Sequence, residues 1–312
     1  MALRFARKTL LAVIEDLYGT EKVPTTAANS IETMDLRISP LEGETENRDI
    51  DRQALGNDLT FHTSVMRRLT FKTSLAGSGA AGTPPPVSPL LRMCGRDEVI
   101  NAGTDVRYLR ASSGYDSGSL YANFDGNLYR LIGARGTFVE NYNTKRLAFL
   151  EWTIDGLWLP VTSAALPTLI LNNWQKPRAI NYANTNGFEL HGVTSACLRS
   201  LQLTEGNQVE HIDVVGCEEI AITDRAPAGS ITIEEQLAST KNWDQAIRDS
   251  ETGNLLIQHG QSAGHIIERQ FPRVQLLQPD LGEEQKRATR SMGLNPLPSV
   301  SAGDDEDVMI FR

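Results

Sequence analysis

The chain has 312 residues, 40% of them hydrophobic and 22% charged, with a formal net charge of −9. A chain of this length buries a full core without disulfides or metals, and the acidic balance excludes a protein that holds nucleic acid through a basic footprint. It does not argue against a protein that sits near DNA, because an acidic wall keeps a polyanion from sticking.

At the N-terminus, MALRFARKTLLAVIEDLYG places basic residues before an apolar run, Leu10 to Ile14, that stops at Glu15 and Asp16. The run is too short for a secretory core, and no small-residue cleavage site follows. No segment approaches the ~18 apolar residues of a membrane span. Cys94, Cys197 and Cys217 are odd in number and lack CxxC spacing, which reads as free thiols in a reducing compartment.

Residues 39–58, SPLEGETENRDIDRQALGND, form a long polar stretch carrying Glu42, Glu44, Glu46, Asp49, Asp51 and Asp58 beside Arg48 and Arg52. Polar loops of this length inside compact domains are usually functional or disordered. Asp49-x-Asp51 resembles the start of a calcium loop, but Ala54 stands where that loop needs glycine.

Short alternating runs then follow, separated by Gly, Pro, Asn and Asp: LTFKTSL (69–75), SLYANF (119–124), LYRLIG (128–133), GTFVEN (136–141), LAFLEWTIDGLWL (147–159), SITIEEQL (230–237) and NLLIQH (254–259). Period-two alternation between turn residues indicates antiparallel sheet. Asp125-Gly126 is a strong hairpin signal, and Asp155-Gly156 is a second turn candidate. Two short helices are expected. One spans 86–95, with Ser88 as N-cap, Pro89 at the first helical position and Gly95 as C-cap; the other spans 242–253, with Trp243, Ala246 and Ile247 on one face. Residues 161–187 read as a linker. Residues 278–307 read as a polar, turn-rich tail with a solvated GDDED, and VMIF (308–311) as a last edge strand.

The halves resemble each other. Leu36-Arg37 matches Leu198-Arg199, and Leu69-Thr70-Phe71 matches Ile231-Thr232-Ile233, both 162 positions on. The expected fold is therefore mainly β: a first domain over 1–160, the linker, and a second domain over 188–312, each with a short flanking helix.

Several motifs invite an enzymatic reading. Gly77-x-Gly79-x-x-Gly82 has dinucleotide-fingerprint spacing, with Asp97 about where a ribose-binding acid belongs. However, Thr83-Pro84-Pro85-Pro86 forbids the helix that would receive a pyrophosphate, so no cofactor site is expected. Gly260-Gln261-Ser262-Ala263-Gly264 has the spacing of a nucleophile elbow, but His265 touches the motif instead of following an acid, so Ser262 hydrolysis ranks as a minor alternative. His62, His191, His211, His259 and His265 never pair at i, i+4, and the cysteines do not cluster, so no metal site is expected. Trp152, Trp158, Trp174 and Trp243 lack the interleaved basic residues of a base-stacking groove and read as core or interface anchors. No residue is assigned a catalytic role.

The order of LTFKTSL, then LAGSGAAGTPPPVSPLLRMCG, with RKTLLAVIEDLYGTEKVPTTAANSI (7–31), ANFDGNLYRLIGARGTFVENYNTKRLAFLEWTIDGLW (122–158) and ITDRAPAGSITIE (222–234), resembles the tail tube proteins of long-tailed, non-contractile bacteriophages. The resemblance weakens over 160–180 and after about 280. It implies tandem tail-tube-like β-sandwich or barrel domains and a structural role in the virion tail, assembled in the bacterial host cytoplasm. Rings would stack into a hollow tube through which DNA passes without specific binding. It also implies a homotrimeric ring with pseudo-sixfold symmetry, a homohexamer being the alternative, and tape-measure, tail terminator and tail-tip proteins as partners. Glu42, Glu44, Glu46, Arg48, Asp49, Asp51 and Arg52 are then the candidates for contact with the adjacent ring. LTFKTSL and SITIEEQL are candidates for the lumen side. A tail-tip adhesin with a β-sandwich fold is the main alternative.

Overall fold

A computed structural model describes residues 3–301 and 303–312, and the fold is mainly β. In the first half the elements are β1 (Lys8–Ile14), α1 (Thr26–Asn29), β2 (Ser30–Ile31), β3 (Met34–Glu42), β4 (Thr45–Asn47), β5 (Thr60–His62), β6 (Met66–Ser74), α2 (Ser88–Met93), β7 (Arg96–Asn101), β8 (Asp105–Arg110), β9 (Gly118–Phe124), β10 (Asn127–Asn143), β11 (Phe149–Trp158) and β12 (Thr162–Ser163). Antiparallel pairing sets the order β1–β9–β10–β11–β6–β3. Burial alternates along β6, so Arg67, Leu69, Phe71 and Thr73 point inward. Trp152 packs against Phe71 and Phe138, and its indole N–H donates to Thr73 Oγ1 at 2.9 Å. The β9–β10 turn uses Asp125 and Gly126, with φ of 48° and 113°, the left-handed pair that matches strand twist.

The second half holds β13 (Gly187–Leu190), β14 (Leu198–Thr204), β15 (Asn207–Val214), β16 (Cys217–Arg225), β17 (Ala228–Glu234), α3 (Trp243–Arg248), β18 (Thr252–His259), β19 (Ile267–Glu284), β20 (Arg287–Pro296) and β21 (Val308–Phe311). Its order is β13–β18–β19–β20–β17–β14, strand for strand the order of the first half. The likeness extends to detail. Against β11, β10 bulges between Ile132 and Arg135; against β20, β19 bulges between Leu277 and Asp280. A two-stranded hairpin outside the main sheet, β4–β5 or β15–β16, interrupts each half at the same place.

The halves are sewn together twice. β14 adds to the far end of β10, pairing residues 200–204 with 139–143. β21 lies between β8 of the first half and β19 of the second. One apolar core runs through both halves.

Several expectations need correction. Asp155-Gly156 is no turn: both residues lie inside β11, where Asp155 is buried and takes two hydrogen bonds from Arg68, at 2.6 and 2.8 Å. Residues 278–296 are not a tail, because β19 and β20 run through them. Pro272 and Pro279 hide this strand from a pattern reading, yet each sits at a bulge, where a missing N–H costs no ladder bond. VMIF is an interior strand, and in GDDED Glu306 and Asp307 are buried. Ser88 is not the N-cap of α2 but its first residue; Val87 holds the cap position without a side-chain bond, and the Ser88 hydroxyl donates to the Glu98 carboxylate. Helix α1 was not anticipated. Within 161–187, Trp174 donates its indole N–H to Ser30 O of the first half at 3.0 Å, and Asn184 O accepts from Gly260 N–H of the second at 2.7 Å, so this stretch packs against both halves.

Candidate functional site

The two glycine motifs meet. Gly79 N–H donates to Gly264 O at 2.8 Å, and a Cβ on Gly77 would stand 2.2 Å from that same oxygen. Glycine here lets two backbones touch. Ser262 lies in the connection from β18 to β19, with no helix following the motif, and its hydroxyl takes a hydrogen bond from Arg178 at 3.3 Å.

The acidic stretch forms a flap. β4 and β5 pair as a hairpin whose connecting residues curl back, with Ile50 N–H donating to Asp58 at 3.0 Å and Arg52 paired to Asp58. Glu44, Glu46, Arg48, Asp49, Asp51 and Arg52 are exposed on it, and Glu42 at its base pairs with Arg68 at 3.2 Å. Leu41, Ile50, Leu55, Leu59 and Phe61 are also uncovered. The structure therefore brings six of the seven candidate residues onto one exposed hairpin and its loop, with Glu42 at its base in β3.

The corresponding hairpin of the second half, β15–β16, does not project. It lies over β10 and β11 of the first half. Ile220 is fully buried there, its N–H donating to the Tyr18 hydroxyl at 2.6 Å and its carbonyl accepting from Arg135 at 2.8 Å. Glu219 stands 3.7 Å from Arg135. Arg225 bonds Ala111 O and pairs with Asp304 and Glu306. His211, Asp213 and Glu218 place possible ligand atoms within 4.8 Å of one another, a trio the spacing of the sequence did not reveal. Its imidazole is engaged at both nitrogens, by Ser64 at 3.0 Å and Glu218 at 3.1 Å, so it also ties this hairpin to the β5–β6 connection.

Beneath the seam sits a buried ionic cluster. Arg96, Arg110 and Glu140 come from the first half; Glu205, Arg269 and Asp307 come from the second. Arg96 lies 2.9 Å from Asp307 and also pairs with Glu205; Arg110 pairs with Asp307 and, at 3.0 Å, with Glu205. Arg269 spans Glu140 at 3.0 Å and Asp307 at 2.6 Å, and the Tyr142 hydroxyl donates to Glu140 at 2.8 Å. Burial alone would raise the Asp307 pKa, but Arg269, Arg96 and Arg110 hold its carboxyl well below the usual carboxylate range. Burial prevails at Glu140 and pushes its pKa up, against the pull of Arg269 and Tyr142. Three guanidinium groups face three carboxyl groups. Such a group is costly to desolvate and still costlier to break, which specifies how the two halves join.

The chain matches no protein-family model and no curated protein sequence.

What the geometry offers is thus a set of joining surfaces. Sequence reasoning singled out the flap from its composition. It missed the ionic cluster, whose six members are scattered from Arg96 to Asp307. It also missed the β15–β16 seam. One signal was present: GDDED is followed by an apolar strand, and a buried strand draws its flanking acids inward with it.

Proposed function

We propose that this chain is the tail tube protein of a long-tailed, non-contractile bacteriophage, building stacked rings around a channel for DNA. One observation carries the reading. The chain is two units of like strand order joined head to tail, with β14 added to β10, and that kind of joint repeats naturally into a ring. Two units per chain favour three chains for a ring of pseudo-sixfold symmetry. The net charge of −9 suits a wall that DNA must slide past, since a basic lumen would bind a polymer carrying about one charge per 1.7 Å. The exposed loop at the tip of the flap, residues 48–58, is suited to reach an adjacent ring.

Negative-stain microscopy of concentrated purified protein tests this. Hollow tubes with rings of three chains are the expected result. A discrete oligomer or monomer at every concentration would overturn the tube, and averages showing six chains per ring would overturn the trimer.

A further inference from the structure

Inside the chain, the second half grips the first with two elements. β14 pairs with β10 at residues 139–143, and hairpin β15–β16 lies across β10 and β11, burying Ile220. The first half carries the counterparts of both elements, and among the described residues no strand of the other half pairs with them; the hairpin's root meets the second half through Ser64, which bonds His211. β3 takes the place of β14 and pairs with β6 alone. β4–β5 takes the place of β15–β16 and pairs only with itself. At its root Leu59 and Phe61 are 64% and 47% exposed, Phe61 lying on the strand that leads back into the sheet, as Ile220 does in β16.

The second half carries the matching open surface. β10 pairs with β9 and then, farther along the same strand, with β14. β19 pairs with β18 and then, beyond its bulge, with β20 only, so residues 280–284 keep a free edge. Leu277 and Leu281 are uncovered there, Leu281 at 64% exposure.

We propose that β3 and the root of hairpin β4–β5 of one copy dock on β19 and β20 of a second copy. The contact repeats between chains the seam that β14 and β15–β16 make within each chain. It is heterologous: every copy offers one hairpin and one receiving face, so copies add in one direction until the ring closes. The inference deepens the ring-forming reading and rests on it for the occupant, another copy of this chain. It also gives the open edge of β3 a use, since an unpaired edge otherwise invites indiscriminate pairing.

Two substitutions test it, Phe61→Asp and Leu281→Asp, both at exposed positions where the fold has little to lose. Each purified variant should keep the wild-type circular dichroism spectrum and melting temperature. In native mass spectrometry each should run as a monomer where the wild type forms rings, with association weakened by about 30-fold or more, as for a central interface residue. An equimolar mixture should then give a one-to-one heterodimer and stop, because it restores a single intact seam. Rings from either variant alone, or a mixture that stays monomeric, would overturn the proposal. Variants that still build tubes would sink the seam and leave the tube standing. A wild type that makes rings sensitive to both substitutions, but never tubes, would sink the tube and leave the seam.

Discussion

Arg96 and Asp307 stand 211 residues apart in the chain and meet in a buried, two-pronged ion pair, Nη1 to Oδ2 at 2.9 Å and Nη2 to Oδ1 at 3.3 Å. Removing one partner leaves a dry, uncompensated charge, at a cost of about 3–5 kcal/mol. We expect Asp307→Ala to lose that much in urea unfolding. Asp305→Ala, which removes a half-buried carboxylate holding two backbone N–H groups, should lose about 1–2 kcal/mol. Equal losses would show that the cluster holds nothing together.

The same cluster sets the response to acid. Asp307 has a depressed pKa in the fold, so its contribution is complete above the unfolded value and drains away as pH falls toward the folded one. Glu140, whose pKa is raised, acts in the opposite sense. Melting temperature should therefore fall steeply below about pH 4. Asp307→Asn should be less stable at neutral pH and flatter in acid. A slope unchanged by the substitution would place the acid-sensitive group elsewhere.

His259 and His191 act over a milder range. Burial lowers both pKa values. Between the folded value and about 6.5, the unfolded chain takes up protons that the fold refuses, so stability drops as pH falls from 7 to 5. His259 Nδ1 bonds Thr185 Oγ1 at 2.8 Å, a contact glutamine can partly keep. His259→Gln should flatten the melting curve over that interval. An unchanged curve would count against a neutral His259.

Gly77→Ala probes the contact between the glycine loops. Its Cβ would sit 2.2 Å from Gly264 O and 2.8 Å from His265 Cα, both backbone atoms that cannot swing aside. The cost should be about 1–3 kcal/mol, as for an overpacked core. Adding a dinucleotide or ATP to the wild type should leave its melting temperature where it was; a rise would restore the cofactor reading.

Arg48→Glu with Arg52→Glu addresses the tip of the flap. Both side chains are exposed, so folding should be unaffected. Rings should form and stack poorly, giving short tubes in micrographs. Tubes of wild-type length would remove this loop from the contact between rings.

Local chemistry made much of the fold legible. Alternation marked β6, β9 and β18, Asp125-Gly126 marked a hairpin, and the shared face of Trp243, Ala246 and Ile247 marked α3, whose Gln245 N–H donates to the Asn242 side chain at 3.0 Å. What stayed hidden depends on residues distant in sequence. Asp155-Gly156 has the composition of a turn, and only Arg68 across the sheet explains why the chain runs straight there. Pro272 and Pro279 argue against a strand until the bulges that accommodate them are known. The candidate loop was visible because charged, exposed segments announce themselves. The seam was not, because Ile220 looks like any strand residue until Tyr18 is placed over it.

The insertion of β21 between β8 and β19 also sets a timetable for synthesis. β8 emerges from the ribosome about 200 residues before its neighbour, and at 5–20 residues per second that interval is roughly 10 to 40 s. Throughout it Arg96 and Arg110 lack Asp307, so the first half waits in an incomplete state. A translation product that stops before residue 307 can neither neutralise that cluster nor close that sheet, and it would be poor material for any assembly. On the proposed ring-forming reading, only chains that reach this point would enter an assembly, a form of proofreading that needs no other protein.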